Sequence, residues 1–485
     1  MSEIKNLEPK SVWENFDMLC ANPRPSKHEG KVVNAIVDFA KKHNIDCKID
    51  SIGNVVLKKP ATKGMENRKG AILQAHVDMV PQKNNDVNHD FVKDPILPWI
   101  DGEWVRAKGT TLGADDGIGA SAALAILADE NLQHGPLEAL LTIDEETGMT
   151  GAFGLKAGEL DGDILLNLDS ETEGELYVGC AGGVDATIHI GYEMIPVEAG
   201  YSCFSLQVKN MKGGHSGMDI ILQRGNATKA LFRIMKALSE EMDVRLCEVE
   251  GGNMRNAIPR DAVATIALAT KDVKRAKEIV EELDKTIHSE LSAVENEFTI
   301  SMNPTATVNQ MMKECSSNKI VNLVYALPNA IYRMSDAVSG LVETSSNLAI
   351  VKSNGKEIEI CCLIRSSVDS EKKDFSMMMK SVVELAGGKI EFSGEYPGWK
   401  PNMDSPILHE MKTLYKKLFN KEAKVMAIHA GLECGVMGGL YKNWDMISFG
   451  PTIEHPHSPD ERVNIKSVEL FYKFLVETIK NVPTK

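Results

Sequence analysis

The sequence predicts an α/β domain interrupted by an inserted α+β domain. Three observations carry that expectation. Between residues 54 and 168, short apolar strands alternate with helices. From about residue 187 the texture changes to alternating strands mixed with amphipathic helices, and α/β character returns near residue 399. The length of 485 residues favours more than one domain.

Taken in order, Pro25-Ser26-Lys27-His28-Glu29 reads as a capping box, with Ser26 at the N-cap and Glu29 at N3. The apolar positions Val32, Val33, Ile36, Val37, Phe39 and Ala40 then predict a helix ending near His43. Strands are predicted over 54–57 and 71–75. Residues 117–131 are rich in Ala and Leu and read as a buried helix. A strand over 137–143, a short helix over 151–157 and a strand over 164–168 follow. Such alternation implies a sheet covered on both faces. In such sheets, sites form beyond the carboxyl ends of the strands.

In the insertion, strands at 204–209 and 262–268 mix with helices at 226–241 and 272–293. A second strand–helix set covers 318–390. The run Tyr396-Pro397-Gly398-Trp399-Lys400-Pro401 reads as the return linker. A helix at 405–419, a strand at 446–449 and a closing helix at 466–481 complete the chain.

Composition narrows the function. Hydrophobic residues at 43% and charged residues at 25% are ordinary for a globular chain. The formal charge of −15 argues against nucleic acid or an anionic membrane as the main partner. No secretory signal is apparent at the start, and no apolar run is long enough to span a bilayer. The nine cysteines are scattered and never form C-x-x-C. That pattern predicts a reducing cytoplasm and buried thiols, Cys361 and Cys362 among them, and no thiolate zinc site.

Several apolar runs end on chemistry-bearing residues. Ile72-Leu73-Gln74-Ala75 leads into His76-Val77-Asp78, and Leu140-Leu141-Thr142-Ile143 into Asp144-Glu145-Glu146. Ile164–Leu168 leads into Asp169, and Met446–Phe449 into His455-Pro456-His457. Asp115-Asp116 sits just before the buried helix. Each is weak alone: Asp-Asp-Gly is ordinary turn chemistry, and His455 or His457 alone reads as a surface histidine. Together they have the composition of a two-metal hydrolase centre built from N and O ligands. At a strand end, adjacent glutamates point apart, so one can ligate while the other acts as general base. Asp78 is placed to orient His76.

These residues resemble a known family. His76-Val-Asp78, Gly113-Ala-Asp115-Asp116, Asp144-Glu145-Glu146-Thr-Gly148, Asn167-Leu-Asp169 and His457-Ser-Pro-Asp-Glu461 match, in order and spacing, the di-zinc peptidases related to carboxypeptidase G and tripeptidase T. Lys212-Gly-Gly-His215-Ser-Gly217 and Asn253-Met-Arg-Asn256-Ala-Ile-Pro259 match as well. Leu112–Gly119, His429-Ala-Gly-Leu-Glu-Cys434 and Pro456–Glu461 resemble most the branch that cleaves Xaa-His dipeptides.

The resemblance implies a mixed-sheet, three-layer di-metal catalytic domain with an inserted α+β lid domain. Its expected boundaries are 1–186 and 399–485 for the catalytic domain and 187–398 for the lid. It implies two Zn²⁺ ions, with Co²⁺ or Mn²⁺ also compatible. His76 and Asp169 would hold one ion and Glu146 and His457 the other, with Asp115 bridging. Glu145 would be the general base and Asp78 the residue that orients His76. His215 would stabilise the oxyanion, and Asn256 and Arg365 would contact substrate.

Some alternatives stay open at this level. Asp116 could bridge in place of Asp115, and Arg365 could be a strand-surface charge. The expected activity is hydrolysis of dipeptides such as β-alanyl-histidine in the cytoplasm. A tripeptidase, an N-acyl amino acid hydrolase and a non-catalytic metal binder are the alternatives. The expected assembly is a homodimer through the lid; a long lid can also mimic a partner's lid within one chain.

Overall fold

The computed structural model describes residues 2–306 and 308–485. The chain divides into two compact units. The first comprises the chain up to Gly179, Pro401–Ala427 and Leu432–Lys485; the second comprises Cys180–Lys400 with Ile428–Gly431. Strand Gly182–Gly191 runs unbroken through residue 187. The short second excursion at 428–431 has no counterpart in the sequence expectations.

Among the described residues, the main sheet of the first unit has eight strands. In chain order they are β1 (Asp46–Ile49), β2 (Val55–Lys59), β3 (Ala71–His76), β4 (Leu137–Thr142), β5 (Ile164–Asn167), β6 (Glu175–Cys180), β7 (Lys424–Ile428) and β8 (Asp445–Ser448). Their order across the sheet is β1-β2-β4-β3-β5-β8-β6-β7. The central β4, β3, β5 and β8 are parallel. The pairs β1–β2, β2–β4 and β8–β6 are antiparallel. β3, β4 and β5 are buried at every position, so both faces of the sheet are covered. The register sets His76 opposite Thr142 and Gln74 opposite Asn167. The carboxyl ends of the parallel strands therefore lie level.

Helices fall close to the predicted spans. Gly30–Lys42, Ala114–Ala128, Pro406–Phe419 and Ile465–Lys480 are α-helical. The predicted capping box does not form. The first of these helices starts at Gly30, with Glu29 at its N-cap. Ser26 Oγ instead donates to Asp78 Oδ2 at 2.8 Å, and Glu29 Oε1 accepts from the N–H groups of Lys27 and Asp144. Tertiary partners outcompete the local cap.

A small antiparallel sheet completes this unit. It joins Pro98–Asp101, Trp104–Ala107, Arg462–Asn464 and Ile453–Glu454. The loop between the last two carries His455, His457 and Glu461.

The second unit is built on a long antiparallel sheet. Across it lie Thr299–Pro304, Tyr201–Lys209, Ala262–Ala269, Val244–Gly251, Val342–Ser353, Glu357–Ser366, Gly182–Gly191 and Lys389–Tyr396. Helices Ala227–Glu241, Val273–Leu291, Glu314–Ala326 and Asp369–Leu385 share one apolar core with it. Burial alternates along Gly182–Gly191 and Ala262–Ala269, the mark of a sheet covered on one face. Cys361 and Cys362 are buried on this sheet, as predicted.

Candidate metal centre and active site

The strand ends of the first unit converge as the apolar runs suggested. His76 ends β3. β4 stops at Thr142, and Asp144 takes a left-handed conformation with φ 53°. That reversal starts the one-turn helix Glu145–Gly148. The two glutamates therefore stand in a helical first turn, a correction to the expected strand end. Asp169 lies two residues past β5. Asp115 and Asp116 lie in the first turn of Ala114–Ala128 but are not helical in φ and ψ.

Asp115 is the pivot. Its Oδ1 lies 3.1 Å from His76 Nε2, and its Oδ2 lies 3.1 Å from His457 Nε2. His76 Nε2 also lies 3.4 Å from Asp169 Oδ1, and His457 Nε2 lies 3.0 Å from Glu146 Oε2. Two ligand groups result, His76–Asp115–Asp169 and Asp115–Glu146–His457, each with its atoms within 4.8 Å of one another. His76, Glu145 and Glu146 form a third group.

The donor set suits divalent cations. It is N and O throughout, with no cysteine. Four carboxyls, from Asp115, Asp169, Glu145 and Glu146, surround two imidazoles, a balance that positive ions neutralise. Glu146 Oε1 is buried with no hydrogen-bond partner, as a ligand atom aimed at an ion would be. Zinc, if bound, would be held by these residues.

Asp78 joins the two halves of the centre. Its Oδ1 lies 3.3 Å from His76 Nδ1. Its carboxylate also accepts from Glu145 N at 3.0 Å, Glu146 N at 3.3 Å and Ser26 Oγ. Burial pushes Asp78 up, but the hydrogen bond and charge of His76 win and hold it at about 2. Burial would lower His76, yet the charge of Asp169 and hydrogen bonds to the carboxylates of Asp115 and Asp169 raise it well above its usual range. Hydrogen bonds to the carboxylates of Asp115 and Glu146 raise His457 to about 11. Burial lifts Glu145 to about 8, against the lowering charge of His76 and with help from Glu433 and Glu146.

Asp116 is buried, and its Oδ1 accepts from Gly119 N at 3.1 Å. It belongs to neither ligand group. His455 is exposed and likewise outside them.

In the second unit, His215 and Asn256 line one cavity of about 730 Å³. His215 Nδ1 accepts from the N–H groups of Gly217 at 3.2 Å and Met218 at 3.1 Å. The proton of the neutral ring therefore sits on Nε2. Burial and the charge of Arg365 lower the His215 pKa. Arg365 is buried at 5% exposure, so it is not a strand-surface charge. Its Nη1 donates to Tyr396 Oη at 3.0 Å, and its Nε contacts Ser216 Oγ at 3.4 Å. His429 is buried, with Nε2 2.7 Å from Ser345 Oγ.

The model of peptidase family M20/M25/M40 matches residues 72–481. The chain belongs to that family. It is 48% identical over 485 residues to the cytosol non-specific dipeptidase of Escherichia coli strain K12, covering 100% of both chains. The solved structure of aminoacylhistidine dipeptidase from Vibrio alginolyticus superposes with a TM-score of 0.96 at 48% identity. That match covers 100% of this chain and 99% of the other. Aminopeptidase PepT from Bacillus cereus shares the fold, with a TM-score of 0.57 at 14% identity, over 98% and 99% of the two chains. The expected peptidase family and the expected α/β fold with an inserted α+β domain are those found. As a family member, the chain is a hydrolase of peptide bonds.

Sequence reasoning left three buried residues of the first unit without a role. Glu433 Oε2 accepts from Gln74 Nε2 at 2.6 Å and Thr142 Oγ1 at 2.7 Å. Its sequence signal was a lone acid in the near-apolar stretch Ala430–Gly438. Glu461 was seen only as the end of a motif. Arg24, between two prolines, carried no signal at all.

Proposed function

We propose that this protein is a di-metal dipeptidase that cleaves unblocked dipeptides, Xaa-His dipeptides such as β-alanyl-histidine among them. The observation that carries the reading is the division of Asp115, one oxygen towards each histidine. A shared carboxylate between two ligand groups suits a pair of ions about 3.5–4 Å apart. Zn²⁺ is the proposed metal, held by His76, Asp169, Glu146 and His457 with Asp115 between. Bound there, the ions supply Lewis acidity towards the scissile carbonyl and make water a stronger acid.

The chain's own groups do the rest. Glu145 takes a proton from the attacking water on its carboxylate and passes it to the leaving amine nitrogen. Burial raises its carboxyl above the usual range, which makes it a stronger base than an exposed glutamate. Asp78 holds the imidazole of His76 and, through two N–H groups, the turn bearing both glutamates. His215 donates its Nε2–H to the developing oxyanion. Arg365 is a buried guanidinium with no carboxylate in ion-pair range among the described residues. It therefore suits the free carboxylate of a dipeptide. Asn256 is its companion on substrate. The E. coli and V. alginolyticus relatives bear dipeptidase names, which favours dipeptides over longer peptides. The name of the former also favours the cytosol as the place of action. A homodimer through the second unit completes the proposal.

The test is a dipeptide-library assay with metal-reconstituted protein, read by mass spectrometry. β-Ala-His, Leu-Gly-Gly and an N-acetyl amino acid serve as class markers. Release of His from dipeptides is expected. Faster release from Leu-Gly-Gly would make the protein a tripeptidase, and zinc binding without any hydrolysis would make it a binder.

A further inference from the structure

Glu461 is buried and immediately precedes strand Arg462–Asn464. Its carboxylate accepts four consecutive main-chain N–H groups. Oε2 takes Leu112 at 2.7 Å and Gly113 at 2.9 Å; Oε1 takes Ala114 at 2.7 Å and Asp115 at 3.3 Å. Four successive N–H groups converge on one point only if the chain curls. Gly113, at φ 71°, supplies the left-handed residue that curls it.

Arg24 grips the same loop through its carbonyls. Its Nη2 donates to Gly113 O, and its Nη1 donates to Val77 O and Asp78 O at 2.9 Å each. Gly113 thus gives its N–H to Glu461 and its C=O to Arg24. A Cβ on Gly113 would lie 2.6 Å from Arg24 Nη2, so the guanidinium occupies the space a side chain would need.

We propose that Glu461 and Arg24 are positioning residues that set the place of Asp115 between the two metal ions. Glu461 ties the loop before Asp115 to the segment bearing His457, four residues upstream. Arg24 ties the same loop to the segment following His76. The bridge and one histidine of each ligand group are thereby held as one piece. The inference rests on Asp115 being the shared ligand, as proposed above. Glutamate is required chemically: a glutamine amide would set its own N–H donors against main-chain N–H groups.

The experiment is equilibrium Zn²⁺ titration of the metal-free full chain against a competing chelator, with Co²⁺ absorption as a second readout. Wild type, Asp115→Asn, Glu461→Gln and Glu461→Asp are compared, and near-UV circular dichroism monitors folding. Glu461→Gln is expected to weaken ion binding about 10–100-fold while the fold is retained, with altered Co²⁺ bands. Glu461→Asp keeps the charge but is one methylene short, and should fall between Gln and wild type. If Glu461→Gln does not fold, Glu461→Asp decides. Folded variants that bind Zn²⁺ within twofold of wild type, with only a lower Tm, would overturn the inference by making Glu461 a helix cap alone. Failure of both variants to fold would overturn it too, by making Glu461 a determinant of folding. Failure of the underlying reading looks different: Asp115→Asn would then bind ions as wild type does.

Discussion

Glu145 and Glu146 are neighbours in sequence with different surroundings. Glu146 meets His457 at 3.0 Å and keeps one buried oxygen without a protein partner. Glu145 lies in neither group that contains Asp115. Glu146→Gln should therefore lose metal, measured as ions per chain. Glu145→Gln should retain both ions yet lose about 10²–10⁴-fold in kcat, the range for removing a general base. The reverse result would exchange the two roles. His429 makes a different prediction, about pH. Burial, with the charge of Arg365, pushes it down to about 3 from the ordinary 6.5. The unfolded chain gains a proton as pH falls below about 6.5, and the folded chain does not until about 3. Its contribution to stability is thus full above pH 6.5. It is lost on acidification by about 1.4 kcal/mol per pH unit. Thermal melts of His429→Gln should show a shallower acid limb than wild type between pH 6 and 4. An unchanged slope would mean that His429 titrates normally.

At the scale of elements, the parallel strands are tied together just beneath the ligands. Gln74 on β3, Thr142 on β4 and Asn167 on β5 form one buried network with Glu433, and Asn167 donates to Gln74. The three strand residues lie two or three positions before His76, Glu145 and Asp169. Thr142→Val removes one of the donors to Glu433, which already has a partnerless buried oxygen. The expected loss is about 1–3 kcal/mol, read from the denaturation midpoint. Gly450, just beyond β8, leaves no room for a side chain. A Cβ there would lie 1.8 Å from Ser170 O. Gly450→Ala should cost about 1–3 kcal/mol through displaced backbone. Because the displaced residue adjoins Asp169, Zn²⁺ affinity should fall with it; unchanged affinity would show that the loop absorbs the shift. Strand identity was legible from apolar runs because burial on both faces demands such runs. The capping box was misread because Ser26 and Glu29 have better partners at residues 78 and 144.

At the scale of the whole molecule, the chain leaves the first unit at residue 180, returns at 401, and visits the second unit again at 428–431. His215 lies in the second unit, and its acceptor bonds at Nδ1 leave Nε2 as the donor of the neutral ring, which suits the oxyanion role proposed for it. His215→Ala should leave the ion count unchanged and lower kcat about 10²–10³-fold, the range for losing one oxyanion donor. Loss of metal in that variant would place His215 among the ligands instead. The proposed homodimer is tested by the mass of the full chain in light scattering, and a monomer at all concentrations would remove it.

The sequence by itself determined where the buried strands run and which chemistry-bearing residues follow them, because alternation and apolar runs are local properties of a few neighbouring residues; that Glu145 and Glu146 open a helical turn it did not determine. It therefore named His76, Glu145, Glu146, Asp169 and His457 as candidates, and the motif resemblance named the family. Tertiary structure alone decided which carboxylate oxygen faces which imidazole. Asp115 meets His457 across 342 residues of sequence, and Glu461 reaches Leu112 across 349. Such pairings depend on strand order and on the paths of long connections, which no local pattern encodes. The same holds for Arg24, whose three carbonyl partners come together only when the loops after β3 and before Ala114–Ala128 pack side by side.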